Sequence, residues 1–588
     1  MSLLPQPTAR RHLRRLEAIP SSASVADAVD TVPLERWAWT LVWLGVLTGG
    51  INLWGFWWSS PVTVALAALL VLAGVAGTAA CWLTGSPRSA WLQRPALGAA
   101  LASAAVPQAV MIHTRTFYST DSAAFDDVSA HALVHGVNPY TASMAPAARL
   151  LSVPDHYWTY TVTGSHVMHA SYPAGSFLVD VPAILLGLDH QVVDWVDLAA
   201  WLLTGVLLFA LLPVTLRWLA ALVTITPIFV GMFGNSGTDA PFLPLLILAV
   251  WRWDRFALGT AVGPVRFMGP VALGLACAVK QLPWFCVPFL VVGVAVETRR
   301  AGRRGAPVAT AYVAVVVAVF AAVNLPFVVW QPGAWFHGTL APFVDPLVAD
   351  GQGLVTLATH GLTGGADLGL LDVAGALAYL SVVAAFVVWY PAMKRIWPLL
   401  LPVAFFFSAR SLSSYLVDLF PMAVVAAVTV AAGARPPSQP RPAVAAPWAR
   451  LRGLLGARPA LLMAFPVTGV VVVSLLAFSA APLQLAVRSV RTSHAGRSLD
   501  AVTVTVHNRT AGALTPHFLV NTGSSVNGFW ATASDRPVVI GPHASRTVTL
   551  RPPVGTGVPQ HGARWLVEAY TSGPRWLSTS PLIGWRRP

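Results

Sequence analysis

Lysine is almost missing from this chain: Lys280 and Lys394 are the two in 588 residues. The basic residues are otherwise arginine, and with abundant Ala, Val, Gly and Pro this is the coding bias of a GC-rich bacterial genome. Charge of either sign is scarce, at 10% of residues against 56% hydrophobic, which excludes a soluble globular protein of this size. The three cysteines, Cys81, Cys277 and Cys286, sit inside apolar runs with no CxxC pair. That excludes a disulfide framework and a cysteine zinc site. A cleavable signal is missing as well. Arg10, Arg11, Arg14 and Arg15 precede a polar stretch, and the first apolar run is too long for a signal core. No convincing internal repeat, the mark of many transporters, is found.

Long apolar runs are what the chain has in quantity. A spanning helix needs roughly 20 mostly apolar residues. Candidate spans fall at 36–58, 61–83, 95–113, 174–188, 192–212, 216–233, 238–251, 267–296, 306–330, 372–390, 396–409, 413–432 and 460–481. The expected fold class is an α-helical polytopic membrane protein of about 13 transmembrane helices, with 267–296 read as one long or broken helix.

The formal charge of +14 would suggest nucleic acid in a soluble protein. Here the arginines gather in short connecting segments, as the positive-inside rule predicts, and no nucleic-acid partner is implied. With segment 1–35 cytoplasmic, TRRAGRRG (298–305), Lys394-Arg395 and the Pro/Arg-rich linker 434–458 also fall inside. The transmembrane domain 36–433 then sends two large loops, 114–173 and 331–371, outside. A last helix at 459–482 puts the tail 483–588 on the same outer face. The parity strains at Arg252, Arg255 and Arg266, which it places outside.

The tail alternates: VTVTVHN, HFLVNTG, PVVIGP, RTVTLRPP and RWLVEAY, each bounded by Gly, Pro or Asn. Short alternating strands with turn signals predict an all-β sandwich. Phe529, Trp530, Trp565, Tyr570 and Trp576 stud it. They are either its core or rings that stack on sugars, and the domain is expected to fold alone.

Carboxylates gather where the first outer loop begins, in TDSAAFDDVSAHALVHGVNPY (120–140). Apolar residues at helical intervals over 123–135 predict a short helix on the membrane surface. Asp121 at its start reads either as a functional acid or as the helix N-cap. Asp126 and Asp127 read as solvated on that helix. His131 and His135, four apart, would allow a metal, but no carboxylate partner is fixed and no metal ligand is assigned.

Four segments together resemble the GT-C glycosyltransferases, nearest to bacterial mannosyl- and arabinosyltransferases that use polyprenyl-phosphate sugars. They are the acidic loop with its Gly-x-Asn-Pro-Tyr and later Tyr172-Pro173, GLACAVKQLPWFCVPFLVV (274–292), NLPFVVWQPGAWFHGTLAPF (324–343) and SARSLSSYLVDLFP (408–421). The resemblance covers about 95–432. Two helices precede the usual first one, and the family's Tyr-Pro-Pro stands here as Tyr-Pro-Ala. It implies transfer of mannose or arabinofuranose from the lipid-phosphate donor to a cell-envelope glycan or glycolipid, outside the bacterial plasma membrane.

Such a donor is already activated, so the protein must add a base for the acceptor hydroxyl and cations for the departing phosphate. Asp121 suits the first task. Lys280 suits the second, because an ionisable group inside an apolar run is a functional hypothesis by default. Arg410 and His337 are further candidates for donor phosphate, with snorkelling and an uninvolved loop histidine as their alternatives. Asp126 or Asp127 could orient the acceptor or hold a divalent cation; no cofactor is otherwise implied. The rival readings are a lipid or glycan transporter and a membrane-anchored glycan-binding protein without catalysis. Convergence of Asp121, Lys280 and Arg410 on one cavity is what separates an enzyme from both.

Overall fold

The structure is a computed structural model. It describes residues 34–57, 60–83, 90–151, 158–233, 236–260, 263–430, 459–493, 498–521, 528–532, 537–553 and 564–584. The N-terminal arginines and the linker 434–458 lie outside the described residues.

The chain divides into two compact units, 1–103 with 214–225, and 104–213 with 226–588. In the first, α1 (Leu34–Trp57) and α2 (Pro61–Leu83) pack together. Small residues set how closely they approach: a methyl at Gly77 would overlap the Trp43 indole, and one at Gly74 would meet the Leu47 backbone. Close backbone approach through small residues is how apolar helices associate where no hydrophobic drive separates them from their surroundings. Trp82 donates to Thr40 (3.1 Å), placing a polar tie between the same two helices. The next helix is α3 (Ala90–Thr114), whose residues up to Ser103 belong to this unit.

The second unit continues with α4 (Asp121–Val134), α5 (Val192–Leu211), α6 (Met268–Val279), α7 (Val287–Arg300), α8 (Gly305–Trp330), α9 (Pro332–Val344), α10 (Leu368–Val388) and α11 (Pro459–Ala477), with shorter pieces between. Among the described residues, seven helices are long and apolar enough to cross a membrane. They become eight if Phe242–Leu258 and Gly263–Val279 form one bent span. Thirteen are not found. Several apolar runs fold as short pieces instead: 174–188 is interrupted at Val179-Asp180, and 396–409 holds the 3-10 turn Trp397–Leu399 and the helix Leu401–Phe406. Prolines 182, 398 and 402 lie at the starts of such pieces, where the missing N–H costs nothing but also ends the preceding turn. Run 267–296 is broken at Lys280.

The C-terminal region is β-rich. Its strands are β1 (Gly365–Asp367), contributed by the loop before α10, then β2 (Leu483–Ser493), β3 (Ser498–Asn508), β4 (His517–Asn521), β5 (Ala531–Thr532), β6 (Ser545–Arg551), β7 (Arg564–Ser572), β8 (Arg575–Thr579) and β9 (Ile583–Gly584). One sheet runs β2-β3-β6-β5; the other runs β9-β7-β8-β1, with β4 also pairing β7. Alternation sorts the faces. Val502, Val504 and Val506 turn into a core shared with Phe518, Val520, Trp565 and Val567, while Thr503 and Thr505 pair across to Thr549 and Thr547 on the outside.

The tail is joined to the rest of the second unit. Its second sheet is not self-contained, because β1 pairs antiparallel with β8 in the register Trp576–Asp367 and Ser578–Gly365. Tyr570 and Leu577 enter the same apolar core as Phe125, Tyr140 and Phe327. And Trp530, Trp565, Tyr570 and Trp576 are buried, so these four rings serve packing and are not open platforms for sugar. Half-buried Phe529 packs on Tyr160 of the first loop, ring centres 5.1 Å apart.

Candidate active site

Thr120, not Asp121, caps α4. Its extended backbone (φ −139°, ψ 148°) lets its hydroxyl accept from the Ala123 amide at 3.3 Å. The capping role weighed for Asp121 is thereby filled by its neighbour, and the acid is left for other work. Asp121 Oδ2 accepts the Thr159 amide at 2.6 Å. Burial pushes its carboxyl above the usual range, while hydrogen bonds from Thr159 and the Arg410 charge hold it down.

Asp126 and Asp127 are not solvated. The helix is covered on more than one face, with Ala123, Ala124, Phe125, Ser129 and Ala130 buried beside both acids. Asp126 accepts from the Ser176 hydroxyl (2.9 Å), and burial pushes its carboxyl up to about 7. Asp127 accepts from Tyr118 (2.5 Å) and pairs with His131 (2.8 Å). The solvated reading of these two acids failed because composition cannot show how many loops fold over a helix.

Lys280 sits where α6 ends. Pro283 has no N–H for the Val279 carbonyl and its ring would crowd it, so the helix cannot continue. Lys280 is extended at φ −151°, ψ 163°. Its ammonium meets Asp239 (2.5 Å), donates to Thr238 (2.8 Å) and lies 4.6 Å from the centre of the Tyr172 ring. Its charge thus already has a carboxylate partner. Gln281 donates to the carbonyls of Ser171 (3.0 Å) and Thr339 (2.8 Å), tying segments 114–173 and 331–371 to this break.

Arg410 is held by a two-residue parallel ladder, Asp350–Gly351 with Arg410–Ser411, and its guanidinium lies 3.5 Å from Asp350. Gly351 has φ 109°, and any side chain there would strike the Ser411 backbone. Glycine is required at that crossing.

Asp121, Lys280 and Arg410 all line one cavity of about 560 Å³. Tyr172, Tyr415, Asp372 and Arg575 add to its polar lining; Phe285, Phe343, Tyr379, Leu380 and Phe405 form an apolar part. Arg575 comes from β8 of the tail, pairs with Asp372 of α10 and donates to the Leu368 carbonyl (3.2 Å). Asp126 and Asp127 are not among the lining residues. Neither is His337, whose ring packs edge-on against His169, centres 4.6 Å apart. His131 and His135 form no metal group among the described residues; the group that qualifies is His169, His337 and Asp345.

Sequence reasoning missed Asp372, Tyr415 and Arg575. Asp372 carried a usable signal, an acid at the head of an apolar run. Arg575 carried none, being 203 residues from its partner. No family model matches the chain, and no curated protein matches it.

Proposed function

We propose that this protein is a membrane glycosyltransferase of GT-C type. It moves a sugar, mannose or arabinofuranose, from a polyprenyl-phosphate donor to an envelope glycan or glycolipid, on the outer side of a bacterial plasma membrane. The observation that carries this reading is the meeting of Asp121, Lys280 and Arg410 in one cavity that is polar at those groups and apolar elsewhere. The apolar part suits a polyprenyl chain and the polar part its phosphate.

In the reaction, the acceptor hydroxyl oxygen bonds to the anomeric carbon as that carbon's bond to the phosphate oxygen breaks. Asp121 takes the hydroxyl proton, and the electron pair leaves with the polyprenyl phosphate. A base raised above the ordinary carboxylate range accepts a proton more readily. Arg410 and Arg575 are the cations nearest to that task in chemistry, because a guanidinium can bind phosphate with two parallel hydrogen bonds. Lys280, paired with Asp239 as Arg410 is with Asp350 and Arg575 with Asp372, adds a third cation for the phosphate and lies over the Tyr172 ring.

Purified Asp121→Asn should retain the fold and lose transfer by about two to four orders of magnitude, as for loss of a general base. Near-normal turnover in this variant excludes Asp121 as base. Turnover with a soluble nucleotide sugar and no lipid overturns the donor assignment. Movement of intact donor across a vesicle wall with no new glycosidic bond makes the protein a transporter.

A further inference from the structure

We propose that His169, His337 and Asp345 bind one divalent transition-metal ion, of the zinc or manganese type, at the edge of the cavity. One nitrogen from each histidine and one carboxylate oxygen lie within 4.8 Å of one another. His169 Nε2 stands 3.3 Å from Asp345 Oδ2. Two ligands bonded to one tetrahedral zinc at about 2.0–2.1 Å are separated by roughly that distance. Two imidazoles and a carboxylate are also a donor set such metals accept.

The protein holds these groups from behind. The Ser171 hydroxyl donates to the His169 carbonyl (3.0 Å), and His169 Nδ1 lies 3.4 Å from the Ala170 carbonyl and 3.5 Å from the Ser171 hydroxyl oxygen. In the tautomer with its proton on Nδ1, the ring offers its Nε2 lone pair toward the Asp345 oxygen at 3.3 Å, where both atoms can bind one cation; without metal, Nε2–H can donate to that carboxylate. A histidine ligand oriented by a backbone carbonyl on its other nitrogen is the usual second-shell arrangement of metal sites.

The backbones are tied as well. Gly338, next to His337, packs so closely on Ala170, next to His169, that a methyl would strike the Ala170 carbonyl. Gln281 bonds the carbonyls of Ser171 and Thr339, one residue further along each segment. Asp345 follows directly on α9, its amide donating to Ala341 (2.9 Å). His337 is exposed, with its ring against that of His169.

Three protein ligands leave a fourth position open, as in catalytic rather than structural zinc sites. Asp345 also lines the cavity, so the open position is reached by a molecule bound there. On the glycosyl-transfer reading that molecule is the donor, and one of its phosphate oxygens fills the position; metal binding itself does not rest on that reading.

The test is titration of the full-length, tag-free, chelator-treated protein in detergent with zinc chloride by calorimetry, and with cobalt(II) by its visible absorption. Wild type should bind one equivalent. His337→Ala, which removes an exposed ring whose ring contact is with His169, should weaken binding at least about tenfold, as should Asp345→Asn. His135→Ala should leave the affinity unchanged. No binding by wild type, or one equivalent bound unchanged by the His169→Ala/His337→Ala double variant, overturns the site. Turnover of a lipid-phosphate sugar without metal binding sinks the site alone; metal binding without turnover sinks the transferase reading alone.

Discussion

At the scale of single residues, the acid that matters is decided by its neighbours. Asp121, Asp126 and Asp127 lie within seven positions of one another, yet only the first reaches the cavity. Its carboxyl is raised by burial and held down in part by Arg410. On the proposed reading Asp121 is the base in its ionised form, so activity should rise as pH climbs through that pKa and be lost below it. Removing the cation removes stabilisation of the carboxylate and lifts the pKa further. Arg410→Ala should therefore move the acid limb of kcat/KM to higher pH, beyond any loss of rate. A limb that stays in place, or moves down, would show that Arg410 does not act on Asp121.

At the scale of elements, the site is assembled where regular structure stops. Lys280 and Gln281 stand at the break between α6 and α7, Asp121 at the first turn of α4, Asp345 just past α9. Backbone freed from a helix can aim side chains in directions that the helical repeat forbids. The two-residue ladder that carries Arg410 is the most fragile of these devices, resting on Gly351 at positive φ against Ser411. A Cβ there adds backbone strain of about 1–3 kcal/mol and a steric clash of similar size. Gly351→Ala should lower the thermal midpoint and reduce transfer more than Gly364→Ala, a nearby glycine with open space around its Cα. Equal effects would mean that the ladder does not position Arg410.

For the molecule as a whole, the tail is part of the unit that forms the cavity. It receives β1 from segment 331–371, shares Tyr570 and Leu577 with the core that holds α4, and sends Arg575 to the cavity wall. A tethered glycan-binding module would behave differently. Truncation after α11 should therefore abolish transfer to short and long acceptors alike, since it leaves β1 without its partner strand and opens the core. Loss confined to long acceptors would restore the binding-module reading.

The sequence by itself determined the kinds of element and their order. Apolar runs long enough to span, a helix after Thr120, a break at Lys280-Gln281-Leu282-Pro283 and an alternating tail are all local properties, set by side-chain period, proline chemistry and hydropathy. It also singled out Asp121, Lys280 and Arg410, because a charge inside or beside apolar text is conspicuous. Only the tertiary structure decided the number of helices long enough to cross a membrane, the burial of Asp126 and Asp127, the pairing of Lys280 with Asp239, the place of His337 beside His169, and the arrival of Arg575 from β8. The reason is physical. Hydropathy counts apolar residues without asking whether their backbone stays helical. Burial and ion pairing depend on which distant segments fold over a group, and nothing within one segment records that choice.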